Sequence, residues 1–295
     1  MPLSWDAKFV GRVTKGTANT LIAKTKLYRN DWGAALAKCE EVISSTQYTL
    51  QSSFAKYFTE EGENTSESIF EVQMYENTNG SVKYGNSYNQ VQGVRGSGDW
   101  DLGWGFNVPT ADLINAFEAG DPRKAATVLT SGGPEGVPAS LGAIQPNWNK
   151  KVYTDPARRL ATGDRFGFWL NVRMLRYADV LLMAAEAANE VGGVANTTKA
   201  LGYLEQIRAR ARAGNNAVLP PVVTTDKAAL RTAIRHERRI EMAMEHERFY
   251  DLVRWGEAET VLGPLGYLPK NRYLPFLQAD IDRSGGVLVQ NPDYP

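Results

Sequence analysis

The sequence predicts a mainly α protein built from paired helices, interrupted by a long irregular insert and closed by an extended C-terminal tail. Three observations predict it. Two segments, near 16–43 and 181–207, each read as a helix, a tight break and a second helix, the αα-hairpin from which helical repeats are assembled. Between them, residues 61–165 lose helical periodicity and become rich in Gly, Asn, Ser and aromatics. The stretch Ile234 to Gly256 carries four Arg and four Glu between Arg235 and Arg248, yet holds Ile240, Met242, Ala243 and Met244 at its centre. A solvated charged helix has no need of that apolar middle.

Each element follows in order. Gly16 to Arg29 reads as a helix with Leu21, Ile22, Thr25 and Tyr28 on one face. Asn30-Asp31 makes the turn, with Asp31 as a cap. Trp32, Ala35, Leu36, Cys39, Val42 and Ile43 then keep the spacing of a buried stripe. In the second hairpin Leu181-Leu182 opens a core face analogous to Leu21-Ile22, Gly192-Gly193 breaks the helix, and a partner helix starts near Thr197. Its segment Ala200 to Ile207 matches Ala35 to Val42 at five positions. A third helical stretch begins at Asp226, an N-cap.

Within the insert, Ser68 to Tyr75 alternates with period two and reads as a strand. Asn77 to Phe106 is too rich in glycine for a helix and too aromatic for disorder. A short helix, Thr110 to Glu118, precedes the turn Gly120-Asp121-Pro122-Arg123. The tail, with Tyr273-Leu274-Pro275-Phe276 and a closing Gln290-Asn291-Pro292-Asp293-Tyr294-Pro295, reads as a strap laid over the helices. The whole is expected to form one domain, 1–295, divided into a first helix pair (8–60), the insert (61–165), C-terminal helices (166–256) and the tail (257–295).

Composition narrows function. Lys+Arg and Asp+Glu both number 33, so no global field draws the chain to nucleic acid or to anionic membranes. The single cysteine, Cys39, excludes an intrachain disulfide and a Cys-based metal cluster. The opening MPLSWDAKFVGRVTKG has no apolar run of signal-peptide length, and no later window approaches a membrane span. Taken alone that implies a soluble cytosolic protein, or the mature part of an exported one.

Catalytic patterns fail one by one. His236-Glu237 and His246-Glu247 each begin like HExxH, but Ile240 and Tyr250 stand where the second zinc ligand belongs. Gly96 to Asp101 begins like GxGxxG and ends on Asp. No GxSxG elbow exists, and Cys39 lies on an apolar helix face. Asp99 and Asp101 are the only carboxylates offered as a glycosidase pair, and a Gly-rich loop uses such residues for turns. No catalytic residue, metal ligand or cofactor is expected.

Several segments together resemble one family. ERRIEMAMEHERFYDLVRWG, over 237–256, is similar to its ERR-x-E-x-x-x-E-G-x-R-x-x-D-L-x-R-W pattern, with His246 in place of the Gly. Asn171 to Ala187 is similar to its most recognisable helix. Glu67 to Gln73, Phe117-Glu118 with Asp121-Pro122-Arg123, and Gln290 to Tyr294 follow in family order. The family is SusD/RagB, whose members are lipid-anchored outer-membrane nutrient-binding proteins of Bacteroidetes. The resemblance implies tetratricopeptide-like helix pairs, a SusD-like α/α superhelix. It also implies that this chain corresponds to the C-terminal portion of such a protein, so membrane association is expected only through a lipid anchor that this chain lacks.

Functionally, the resemblance implies non-catalytic binding of oligosaccharide at the cell surface, for delivery to a SusC-like TonB-dependent outer-membrane transporter. Peptide binding, as in RagB-like members, is the alternative; a cytosolic tetratricopeptide-like adaptor and a glycoside hydrolase stand further off. Sugar C–H faces lie flat on aromatic rings while amides and carboxylates answer the hydroxyls. The insert offers Trp100, Trp104, Tyr84 and Tyr88 as rings, with Asn86, Asn89 and Asp99 beside them. Glu237, Glu241 and Glu245 recur every four residues and so stack on one helical face, where like charges cost about 0.2–0.5 kcal/mol per pair. They are expected to meet Arg173 and Arg176, at the start of the helix over 171–187, in a structural ion-pair network.

Overall fold

A computed structural model describes residues 1–75 and 87–295. Tyr84 and Asn86, two of the expected ligand contacts, lie outside the described residues. The chain divides into two compact units, Met1–Met244 and Glu245–Pro295, so the division falls inside the segment 166–256 expected to be helical throughout.

The first unit opens with α1 (Lys15–Tyr28) and α2 (Trp32–Ser44). Thr14 caps α1 reciprocally with Thr17, each hydroxyl accepting the other's backbone N–H. Asn30, at φ 56, makes the turn. Asp31 occupies the N-cap of α2, but its carboxylate accepts from Lys26 Nζ at 2.8 Å rather than from the helix. The face of α1 is a correction. Leu21, Ile22 and Tyr28 are exposed, Leu21 by 49%, while Thr17, Thr20, Ala23 and Leu27 are buried. Small side chains let α2 approach closely, and the threonines are satisfied: Thr17 Oγ1 donates to Ile69 O at 3.0 Å and Thr20 Oγ1 to Gly16 O at 2.8 Å. In α2 the expected stripe is the core face, with Ala35, Leu36, Cys39 and Val42 buried.

The chain continues through α3 (Phe54–Tyr57), β1 (Ser68–Val72), α4 (Tyr88–Gln92), α5 (Ala111–Ala116), α6 (Arg123–Thr127), β2 (Val128–Thr130), β3 (Asn147–Asn149), α7 (Pro156–Thr162) and β4 (Val172–Arg176). β1 pairs antiparallel with β4, Ser68 opposite Arg176 and Glu71 opposite Arg173; β2 pairs antiparallel with β3. The segment 171–187 is therefore a strand followed by a helix, α8 (Tyr177–Val191), and not one helix.

From Tyr177 to Asn189 every residue of α8 is buried. A helix covered on all sides is the axis of a core, and α2, α9 (Val194–Arg212) and α10 (Lys227–Glu241) pack around it. Leu181 and Leu182, fully buried, each contribute about 1.5–3 kcal/mol. Gly192 and Gly193, at φ 79 and 82, turn the chain straight into α9, three residues before the expected start. Asp226 caps α10 by accepting from Ala229 N at 2.8 Å. α10 ends at Glu241, and Met244 follows at φ 67.

The second unit holds α11 (Arg248–Arg254), α12 (Ala258–Leu262) and α13 (Gln278–Arg283). The tail is thus partly helical rather than extended throughout. Its end ties back on itself: Gln290 exchanges hydrogen bonds with the backbone of Phe276, and Tyr294 Oη donates to Tyr273 O at 2.9 Å.

Candidate functional site

The insert gains rigidity from backbone crossing at glycines. The segment from Leu102 to Phe106 runs against α4: Trp104 N donates to Gln90 O and Phe106 N to Val91 O, both at 2.8 Å. A Cβ on Gly103 would lie 2.1 Å from Gln90 O, so only glycine admits this approach. Beneath it Val94, Leu102, Leu129, Val137 and Trp148 form a small apolar core.

That core separates the expected aromatics. Trp100 packs against it, half-buried, and stacks on Tyr153 with ring centroids 6.1 Å apart. Tyr88 is half-buried in α4, and Asn89 is buried, donating from Nδ2 to Gly167 O at 2.8 Å. Asp99 is exposed on the turn Gly98–Trp100, while Asp101 pairs with Arg165 at 2.7 Å. Trp104 alone of the named tryptophans presents its ring, 50% exposed. Phe106, an insert aromatic not named among the expected ligand contacts, is 60% exposed and meets Trp104 edge-to-face, centroids 6.4 Å apart at 89°. The two rings make an open corner with exposed Asn107 and Arg95 alongside; Arg95 Cβ would be 3.1 Å from a Cβ on Gly105. Only the turn glycines around Trp104 hinted that its ring would face outward.

The charged residues form a second, buried assembly. Glu241 Oε1 accepts from Arg176 Nη1 at 2.7 Å and from Arg210, and its Oε2 accepts from Arg123 Nη1 at 3.2 Å. Glu237 is held by Arg123 and by Arg208 Nη1 at 2.8 Å. Asp121, Glu67 and Glu118 complete the anions, on Arg123, on Arg176 and Arg210, and on Arg208. Lys151 Nζ donates to Glu241 O at 3.0 Å. Phe54, Tyr57 and Phe58 wall this assembly, with Lys151 4.3 Å from the Phe58 centroid and Arg210 5.0 Å from that of Phe54. Burial pushes the Glu241 carboxyl up, but Arg210, Arg176 and Arg123 outweigh it and hold it well below the usual carboxylate range.

Arg173, an expected member, stands elsewhere. Arg173 donates to Thr59 O at 2.6 Å and Asn171 O at 3.3 Å. On a strand, residues three apart point to opposite faces, and although both guanidinia lie over the Tyr57 ring, at 5.5 and 5.8 Å, only Arg176 reaches Glu241. Glu245 lies beyond the end of α10, after the left-handed Met244, and no longer continues the stripe of Glu237 and Glu241. Arg123, Arg208, Arg210 and Glu67 supply the missing charges.

The SusD family model matches residues 66–271. The chain belongs to the SusD family. SusD-like protein P2 from Formosa agariphila is 28% identical over 309 residues, 95% of this chain and 60% of that protein. A laminarin binding SusD-like protein superposes with a TM-score of 0.80 at 28% identity, over 100% of this chain and 66% of that one. Surface glycan-binding protein A from Bacteroides thetaiotaomicron, in complex with laminarihexaose, gives 0.79 at 27%, over 99% and 66%. This SusD-family chain thus spans about 60% of the length of that curated relative. No helix among its described residues is long and apolar enough to cross a membrane.

Proposed function

We propose that this chain binds oligosaccharide without turning it over, and that the Trp104–Phe106 corner is where a sugar ring rests. The observation that carries the reading is an exposed indole whose backbone is pinned by hydrogen bonds to α4 at a glycine crossing. Such a ring loses little entropy on binding and offers a flat apolar face to the axial C–H groups of a pyranose. Phe106 closes one side of the ring, Arg95 donates to hydroxyls, and Asn107, whose Nδ2 donates to Gln92 Oε1 at 2.6 Å, accepts from them through its carbonyl oxygen. Related SusD-like proteins named for laminarin and laminarihexaose support a glucan-type ligand. Family membership supports capture at the cell surface and delivery to a SusC-like TonB-dependent outer-membrane transporter. Tyr88 and Asp99, on the same insert, are proposed as further contacts, while Tyr84 and Asn86 lie outside the described residues.

Titration of laminarihexaose into the Trp104→Ala variant tests this. The expected result is a loss of affinity of about five- to thirtyfold, from one lost stacking contact of about 1–2 kcal/mol, with an unchanged melting temperature. Unchanged affinity in a folded variant refutes the assignment, and reducing-sugar release by the wild type refutes the non-catalytic reading.

A further inference from the structure

A second cleft, at the entry to α1, is not used by that platform. Its walls are fixed. Gly11, at φ 87, turns the chain where a Cβ would come within 2.4 Å of Gln73 Cγ. Lys15 N donates to Pro2 O at 2.9 Å, and Thr14 Oγ1 and Tyr48 Oη lie 2.9 Å apart. Trp5 Nε1 donates to Val13 O at 3.0 Å, which holds the indole while leaving it 40% exposed. Phe9 meets Trp5 edge-to-face at 6.0 Å. Trp5, Phe9, Gly11, Arg12, Gln47 and Tyr48 line a cleft of about 240 Å³.

Arg12 is the decisive member. Its guanidinium lies 4.1 Å from the Phe9 centroid and 5.4 Å from that of Trp5. It is exposed, and no acidic side chain pairs with it among the described residues. Glu71, on the floor of the cleft, already accepts from Asn64 N at 3.2 Å and Asn171 Nδ2 at 3.0 Å, and exposed Asp6 stands at the rim without an ion pair. A flat cation steadied by two rings, with its N–H edge unanswered, matches a planar or tetrahedral oxyanion. The neighbouring indole matches the sugar ring that would carry it.

We propose that this cleft is a second saccharide subsite, selective for an acidic sugar residue whose carboxylate or sulfate ester meets Arg12 while its ring lies on Trp5. The proposal rests on the saccharide-binding reading above, and its test separates the two. The full chain and its Arg12→Gln, Trp5→Ala and Trp104→Ala variants would be titrated with a galacturonate tetramer, a sulfated galactan oligomer, laminarihexaose and inorganic sulfate. Expected is a loss of about tenfold in affinity for at least one acidic oligomer in Arg12→Gln, the value of one charge-assisted hydrogen-bonded pair, and in Trp5→Ala, the value of one stacking contact. Laminarihexaose affinity stays unchanged in both variants. Whichever acidic oligomer responds identifies the group, and its binding survives Trp104→Ala. The proposal is overturned if Arg12→Gln leaves both acidic oligomers unaffected or weakens laminarihexaose equally, or if inorganic sulfate binds as tightly as either oligomer. Failure of Trp104→Ala to affect laminarihexaose refutes the platform alone.

Discussion

Trp100 and Trp104 stand four residues apart in different surroundings. Trp104 offers its ring to solvent, whereas Trp100 lies half-buried on the apolar core of the insert and parallel to Tyr153. Trp100→Ala should therefore cost about 2–4 kcal/mol of stability, near the range for large-to-small changes in a packed site, and leave laminarihexaose affinity of the folded fraction intact. Urea unfolding alongside titration checks both halves; a variant of wild-type stability that fails to bind would reverse the assignment. Composition could nominate both rings but not sort them, because exposure depends on which side of a two-glycine crossing each ring leaves the backbone.

At the scale of elements, the helices were legible and their faces only partly so. The stripe of α2 follows from six apolar residues at helical spacing. The stripe of α1 misled because its large apolar residues lie outward while small and hydroxylated ones pack inward, their hydroxyls bonded to Ile69 O and Gly16 O. Likewise the alternation in 171–176 was hidden by its continuity with an apolar helix, which concealed the strand β4 and sent Arg173 away from Glu241. The charge assembly could be anticipated from the stacked glutamates, but three of its four arginines come from α6 and α9, elements with no local reason to carry charge inward. Glu241→Gln should cost about 3–5 kcal/mol, since it leaves buried guanidinia short of a counter-charge, and should not alter ligand affinity in the folded fraction. Loss of binding without loss of stability would move this assembly from scaffold to site.

For the whole first unit, acid is the relevant stress. Asp179, in α8, is pushed up by burial, yet Lys24 and Arg238 hold it well below the usual carboxylate range, Arg238 Nη1 at 2.5 Å. Glu241 is lowered by its arginines, and Glu118 is lowered chiefly by its hydrogen bond to Arg208. A carboxylate with a depressed folded-state pKa binds its proton first in the unfolded chain. The stabilisation is therefore complete above about pH 5, and it is lost progressively as pH falls below the ordinary carboxylate value of about 4. Thermal unfolding from pH 7 to pH 2.5 should show a plateau and then a steep fall; a midpoint that stays level to pH 3 contradicts it. The charge assembly also has a kinetic consequence. Its pairs join residues 109, 118 and 143 positions apart, so it closes only after long loops have been drawn together. Contacts of that separation belong to the late side of the folding barrier, and their main effect is on the rate at which the native fold opens rather than the rate at which it forms. In this way the clustered arginines and glutamates act as a latch that lengthens residence time in the native state.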